Sequence, residues 1–388
     1  GDTDDDSDPD GNDVPTPDAD PRANDTASNG IYINQGTVNL NGNSTLSGGP
    51  GYASNLGKSA IFNIGGTLNV NGDLTVNVTG GKGIYASNAI VNMNSTSNVP
   101  YLYTVNNSSN QRGIDANNGS KVKMDMIKMQ GTSSSSNGIG IHATGLGTEV
   151  SFMGGSFNEN YTSRPGATGL WAQGLAKIDV KGYDNGSLTA NASGNNEKSV
   201  WAFGGGQIDI NSEKHANFIT NINTYSSLQF LRKGMNGVTA GSLGAKDSSG
   251  NIIDAPARVG SKYGNAAVNI YGETHINVAD AGGYGIRAMG DGAQINLKTL
   301  SGAGRSSVFA KATAINFAFA DGYTLDTSNN LLTGGQQINI ENTDITHDGT
   351  SSYLSGNLIQ VGGTTISAND GMNTGIMQVP DAVTNATL

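Results

Sequence analysis

A chain of 388 residues with 57 Gly, 47 Asn and no Cys has no disulfide or thiol chemistry, and this composition argues against a helix-rich enzyme, because Gly and Asn are turn formers that tolerate positive φ. The net charge of −11 is uneven: ten Asp and one Arg put −9 into residues 1–28, while the other 360 residues carry 22 acids against 20 bases. That near-neutral body excludes a basic nucleic-acid grip, and no apolar run reaches the roughly 18 residues of a membrane helix.

In chain order, residues 1–28 come first. They hold one Val and no aromatic, too little apolar surface to order themselves, and read as a disordered acidic spacer. Asp6-Ser7-Asp8-Pro9-Asp10-Gly11 has the spacing of a calcium loop, but Pro17 stands where the bidentate Glu belongs, which favours the spacer. No secretion signal is visible at Gly1, so the sequence reads as a mature chain or a fragment.

From Asn29 onward, a small–aliphatic–variable–Ala motif recurs. It reads Gly83-Ile84-Tyr85-Ala86, Gly113-Ile114-Asp115-Ala116, Gly140-Ile141-His142-Ala143 and Gly169-Leu170-Trp171-Ala172. It continues as Ser199-Val200-Trp201-Ala202, Gly285-Ile286-Arg287-Ala288 and Ser307-Val308-Phe309-Ala310. Looser copies place anchors at Ile31, Ile61, Leu228, Leu331 and Leu358. Ten of the eleven anchor intervals span 22–30 residues; the longest, Leu228 to Ile286, contains a polar stretch at about 232–264 that reads as a loop insertion.

An apolar–polar–apolar motif follows most anchors: Val38-Asn39-Leu40, Leu68-Asn69-Val70, Val91-Asn92-Met93, Val122-Lys123-Met124, Val150-Ser151-Phe152, Ile178-Asp179-Val180 and Ile208-Asp209-Ile210. Further along come Val268-Asn269-Ile270, Ile295-Asn296-Leu297, Ile315-Asn316-Phe317 and Ile338-Asn339-Ile340. A weaker third strand is visible at Leu74–Val78 and around Leu188, Phe218, Ile276 and Ile345. Three short alternating strands per period predict an all-β fold: a single right-handed parallel β-helix of about 12–13 coils over residues 29–388. At the usual strand spacing this is a rod roughly 60 Å long. A propeller needs about four strands per 40–50 residues, which this period does not give.

These coils, the absence of Cys and the low charge resemble the passenger domain of a Gram-negative type V, classical monomeric autotransporter. The resemblance covers about Asn29 to Leu388 and lies in texture and period, with no single diagnostic motif. It implies a right-handed β-helix exported through a C-terminal translocator barrel, which is not visible in this sequence. It also implies a surface adhesin, an aggregation factor or a carrier for an inserted enzyme. The missing Cys fits export, since a disulfide would obstruct passage through a narrow barrel.

In a β-helix, equivalent positions stack into columns, so binding chemistry belongs to the outward ones. The residue after each anchor forms the first column: Tyr32, Phe62, Tyr85, Asp115, His142, Trp171, Trp201, Gln229, Arg287 and Phe309. Six of these ten are aromatic in a chain with 24 aromatics in all (13 Tyr, 9 Phe and 2 Trp), and both Trp are among them. Exposed contiguous aromatics mark interaction sites and suit sugar faces or protein hot spots. A column of aromatics stacked only for stability is the competing reading.

The second column, the polar residue of the second motif, runs mostly through Asn, as in a structural ladder, and is interrupted at Asp179 and Asp209. Adjacent coils bring two carboxylates to about 5 Å, the separation of a retaining glycosidase pair. The four His fall at different repeat positions without metal spacing. No G-x-S-x-G occurs, and the sequence places no Ser, His and Asp together.

The function expected is a cell-surface adhesin, outside the outer membrane or secreted, and not an enzyme. It mediates attachment to host or neighbouring cells, or biofilm self-association. The expected ligand-binding residues are Tyr85, Asp115, His142, Trp171, Trp201, Asp179, Asp209, Arg287 and Phe309. The expected partner is a host or bacterial surface glycan or protein, or a second β-helix, with no nucleic acid, no cofactor, no metal and no catalytic residue. Contact with a membrane runs only through the absent barrel. The alternative is a polysaccharide lyase or hydrolase using Asp179 and Asp209.

Overall fold

A computed structural model describes residues 30–50, 59–79, 81–107, 112–133, 138–161, 168–193, 198–225, 236–241, 266–279, 283–289, 293–318 and 337–347, with strands at 357–361, 364–366 and 372–378. The acidic spacer, the calcium-like motif, the Leu228 and Leu331 anchors and most of the 232–264 stretch lie outside the described residues.

Short alternating segments close into coils because one coil alone cannot bury its apolar face, whereas stacked coils share one core. The first face runs through Ile31–Asn34, Ser59–Ile64, Lys82–Ser87, Arg112–Asn117, Ile139–Thr144, Thr168–Gln173, Lys198–Phe203, Asn236–Gly241, Tyr284–Met289, Thr313–Ala318 and Asn357–Val361. These are eleven rungs, all paired in parallel. The second face starts at Thr37–Asn41 and the third at Ser44–Pro50; both ladders end in the long strand Gln337–His347. The fold is the expected parallel β-helix.

Register is locked by the anchors. Ile61, Ile84, Ile114, Ile141, Leu170, Val200, Val238, Ile286 and Ile315 align coil to coil and are buried in the core. Each fully buried aliphatic of this kind stabilises by about 1.5–3 kcal/mol. The Gly of the first motif also faces inward. A Cβ on Gly140 would stand 2.5 Å from the Gly169 carbonyl oxygen and 2.6 Å from Phe157, so a large third-face side chain fits only against a residue with no side chain. After the first face the chain turns through left-handed residues such as Asn118 and Gly119, with φ of 52° and 80°.

Four expectations are corrected. The eighth first-face rung is Asn236–Gly241, anchored by Val238, so the insertion read over 232–264 has a rung inside it. Ser306–Ala310 belongs to the third face, where Val308 pairs with Ile276. The tenth first-face rung is Thr313–Ala318, where Ile315 pairs with Ile286, so Ile315-Asn316-Phe317 is a first-face segment. In the last first-face rung the position aligned with Ile315 is Ile359, next to the expected Leu358.

The two ends differ. At the N-terminal end Ile31, Val38, Leu40 and Leu46 are only partly covered. At the C-terminal end the chain reverses: Thr364–Ile366 and Met372–Gln378 pair antiparallel with Asn357–Val361 and Gln337–His347.

Candidate functional site

The first-face outward column aligns Tyr32, Phe62, Tyr85, Asp115, His142, Trp171, Trp201, Thr239, Arg287 and Asn316. Thr239 and Asn316 occupy the places expected for Gln229 and Phe309. Gln229 lies outside the described residues, and Phe309 sits on the third face in register with Asn277. The column alternates with the buried anchors, so it stands outside the core. It is far less exposed than expected: only Tyr32, at 42%, is open, while Tyr85, Trp171, Trp201 and Arg287 are half-buried and the rest are buried. Neighbouring coils bring these side chains into contact with one another, which removes them from water without placing them in the core.

The column divides into segments. Tyr32, Phe62 and Tyr85 stack at 5.6 and 4.8 Å. Trp171 and Trp201 stack at 4.9 Å, and Phe203, two residues further along the strand, stacks on Trp201 at 4.6 Å. Trp201 Nε1 donates to the Gly241 carbonyl, whereas Trp171 Nε1 is buried without a hydrogen-bond partner.

Between the aromatic segments lies a buried charge cluster. Asp115 Oδ2 accepts from Lys82 Nζ at 2.6 Å, and its Oδ1 accepts from Arg112 Nη1 at 2.7 Å and faces His142 Nδ1 at 2.8 Å. Asp115, His142 and Lys82 are 2%, 3% and 4% exposed. Burial alone would raise the Asp115 pKa, but the His142 hydrogen bond and the Arg112 and Lys82 charges outweigh it and hold the carboxyl below its usual range. Burial lowers the His142 pKa despite its bond to Asp115, so a neutral ring donates from Nδ1. His142 Nε2 then faces no partner, with the ring 4.7 Å from that of Trp171.

A flanking column three residues before the first was not anticipated. Lys82 lies over Tyr85 at 4.4 Å, Lys198 over Trp201 at 4.1 Å, and Arg287 over Tyr284 at 4.5 Å. Such cation–π pairs contribute about 0.5–2 kcal/mol each. Strict alternation hides this column, because the inward Gly between the two breaks the period of two. The recurring cation or aromatic three residues before the variable position was the available signal. Burial lowers the Arg287 pKa, and its Nε donates to Asn316 Oδ1 at 2.9 Å.

On the second face the asparagines form two hydrogen-bonded runs: Asn92 to Asn69 to Asn39, and Asn339 to Asn296 to Asn269 to Asp209, with links of 2.7–3.1 Å. Asp179 and Asp209 pair in register on adjacent coils, as expected, and both are buried. Lys177 Nζ bridges them, 2.9 Å from Asp209 and 3.8 Å from Asp179. Lys181 also binds Asp179, and Gln207 donates to both oxygens of Asp209. Burial opposes the Lys177 charge, yet Asp209 and its acidic neighbours outweigh that and raise the pKa. A glycosidase pair must present both carboxyl groups to the substrate, whereas here Lys177, Lys181 and Gln207 already occupy them. Among the described residues no group of three or more His, Asp or Glu is placed to hold a metal ion, and no helix is long and apolar enough to cross a membrane.

No protein-family model, no curated protein and no solved structure matches this chain.

Proposed function

We propose that the chain is the adhesive rod of a bacterial cell-surface protein, and that its first face binds a surface glycan or a protein on a host or neighbouring cell. The observation that carries this reading is the continuous aromatic platform of Trp171, Trp201 and Phe203, with Lys198 over the Trp201 ring. The inward anchors of these coils already supply a continuous buried core. Three aromatic rings on the outer side lie beyond it, and two of them keep part of their surface in water. Flat rings with a cation beside them suit the apolar face of a sugar or an aromatic hot spot. Display on the surface through a C-terminal barrel belongs to the same proposal.

The test is the Trp171→Ala/Trp201→Ala double variant, measured for binding to a glycan array and to whole cells. Loss of binding, with the β-sheet circular dichroism spectrum retained, is expected. Binding at the parent level overturns the reading. Phenylalanine at both positions keeps a stack and is expected to retain part of the binding.

A further inference from the structure

The third face holds a chain of hydrogen-bonded groups that the adhesive reading does not use. Glu273 and His275 lie two residues apart on the strand Glu273–Val278, so both point outward, while Ile276 points into the core. The next coil brings Ser307, on the strand Ser306–Ala310, into register with His275. His275 Nε2 is 2.8 Å from Glu273 Oε1, and Nδ1 is 2.9 Å from Ser307 Oγ. One neutral tautomer satisfies both contacts: Nε2–H donates to the glutamate, and Nδ1 accepts from the serine hydroxyl. The His275 side chain is 36% exposed, so solvent and small molecules reach it.

We propose that Ser307, His275 and Glu273 form a serine-nucleophile centre that hydrolyses short-chain carboxylic esters. A nucleophile in hydrogen-bond reach of a base, itself oriented by a third group, is the arrangement that activates a hydroxyl. Ser307 Oγ attacks the ester carbonyl carbon while its proton passes to His275 Nδ1, and Glu273 stabilises the resulting imidazolium. The tetrahedral adduct collapses, the C–O bond to the alcohol breaks, and the leaving alkoxide takes the proton from Nδ1. An acyl ester remains on Ser307. Solvent water then adds to its carbonyl carbon, giving a proton to Nδ1. The carboxylic acid departs as Ser307 recovers that proton.

The surroundings select the substrate class. Ser307 lies between two parallel partners, His275 and Asp344, so its backbone N–H is directed along the sheet. Arg305, two residues earlier, is ion-paired with Asp344 at 2.8 Å and donates to Asn342 at 2.7 Å, and it is the cation this proposal assigns to the charge developing on the ester oxygen. One cation without paired backbone donors suits an ester, whose alcohol leaves more readily than an amine. An outward sheet position suits a small acyl group.

The whole chain is incubated with a fluorophosphonate probe, which phosphonylates activated serines, and adducts are located by intact mass and peptide mapping. A single adduct on Ser307 is expected, absent in Ser307→Ala and formed about a hundredfold more slowly in His275→Gln. Glu273→Gln keeps the shape, removes the charge, and is expected to slow labelling about tenfold or more. The absence of an adduct in the parent chain, or labelling of Ser307 that is unchanged in both His275→Gln and Glu273→Gln, overturns the proposal. Glycan binding by the first face does not enter this readout, so either activity can fail alone.

Discussion

The first and second faces of this rod share one backbone, one register and one core, and differ in what their outward columns repeat. The second face repeats asparagine in two runs, each amide donating to the next within a run, and there the repetition is itself the stabilising device. The first face changes residue from coil to coil: aromatic stack, buried charges, aromatic stack, arginine. A column that only held the coils together would have no need of that variety. One scaffold thus carries a repeated outward residue on one face and a varied set of outward side chains on the other.

The comparison breaks most severely at Asp115. Asp115→Asn removes the buried carboxylate that Lys82 and Arg112 both face, and a loss of about 3–5 kcal/mol is expected in denaturant unfolding. Acid probes the same cluster more gently. The His142 pKa is lowered in the folded state, so the unfolded chain binds more protons, and stability is complete above the unfolded value of 6.5 and falls as pH drops below it. Asp115 is also lowered and adds a further loss in more acidic solution, below its ordinary value of 3.8. A melting-temperature series from pH 7 downward is expected to fall, with the upper part of the fall missing in His142→Gln. The smallest effect belongs to the second face. Asn296→Ala breaks two ladder bonds on a partly exposed column and is expected to cost about 1 kcal/mol, measured by the same unfolding assay. A cost at Asn296 equal to that at Asp115 would erase the distinction between the faces.

Much of this arrangement was legible in the residues. Strong anchors such as Ile84, Ile114 and Leu170 gave the coil period, and the second motif gave the asparagine column and the Asp179–Asp209 adjacency. The errors arose where two segments carry similar local patterns. Ser307-Val308-Phe309-Ala310 imitates the first-face motif, and both Val308 and Ile315 lie within a coil's length of Ile286, so spacing alone does not choose between them. Core pairing with Ile276 places Val308 on the third face. That error also hid the Ser307–His275–Glu273 contacts, because it put Ser307 on the wrong side of the rod. The aromatic column was identified, but its burial was not, since the flanking Lys82 and Arg112 column follows a three-residue offset that alternation does not describe.

The asparagine ladder also bears on how such a rod changes length. A coil with asparagine above and below, as between Asn269 and Asn296, meets its neighbours through interchangeable joints. Removing or duplicating it would restore the same amide contact one rung away, a step of about 4.8 Å. The stretch from Lys123 to Asp209 has no such asparagine joint, because its rungs present Lys123, Ser151, Asp179 and Asp209 in turn. Recombination between coils therefore has permissive and forbidden seams, and the forbidden ones coincide with the chemically individual part of the molecule. Reach can be altered one rung at a time while the tryptophan platform and the buried charge cluster pass unchanged from one length to the next.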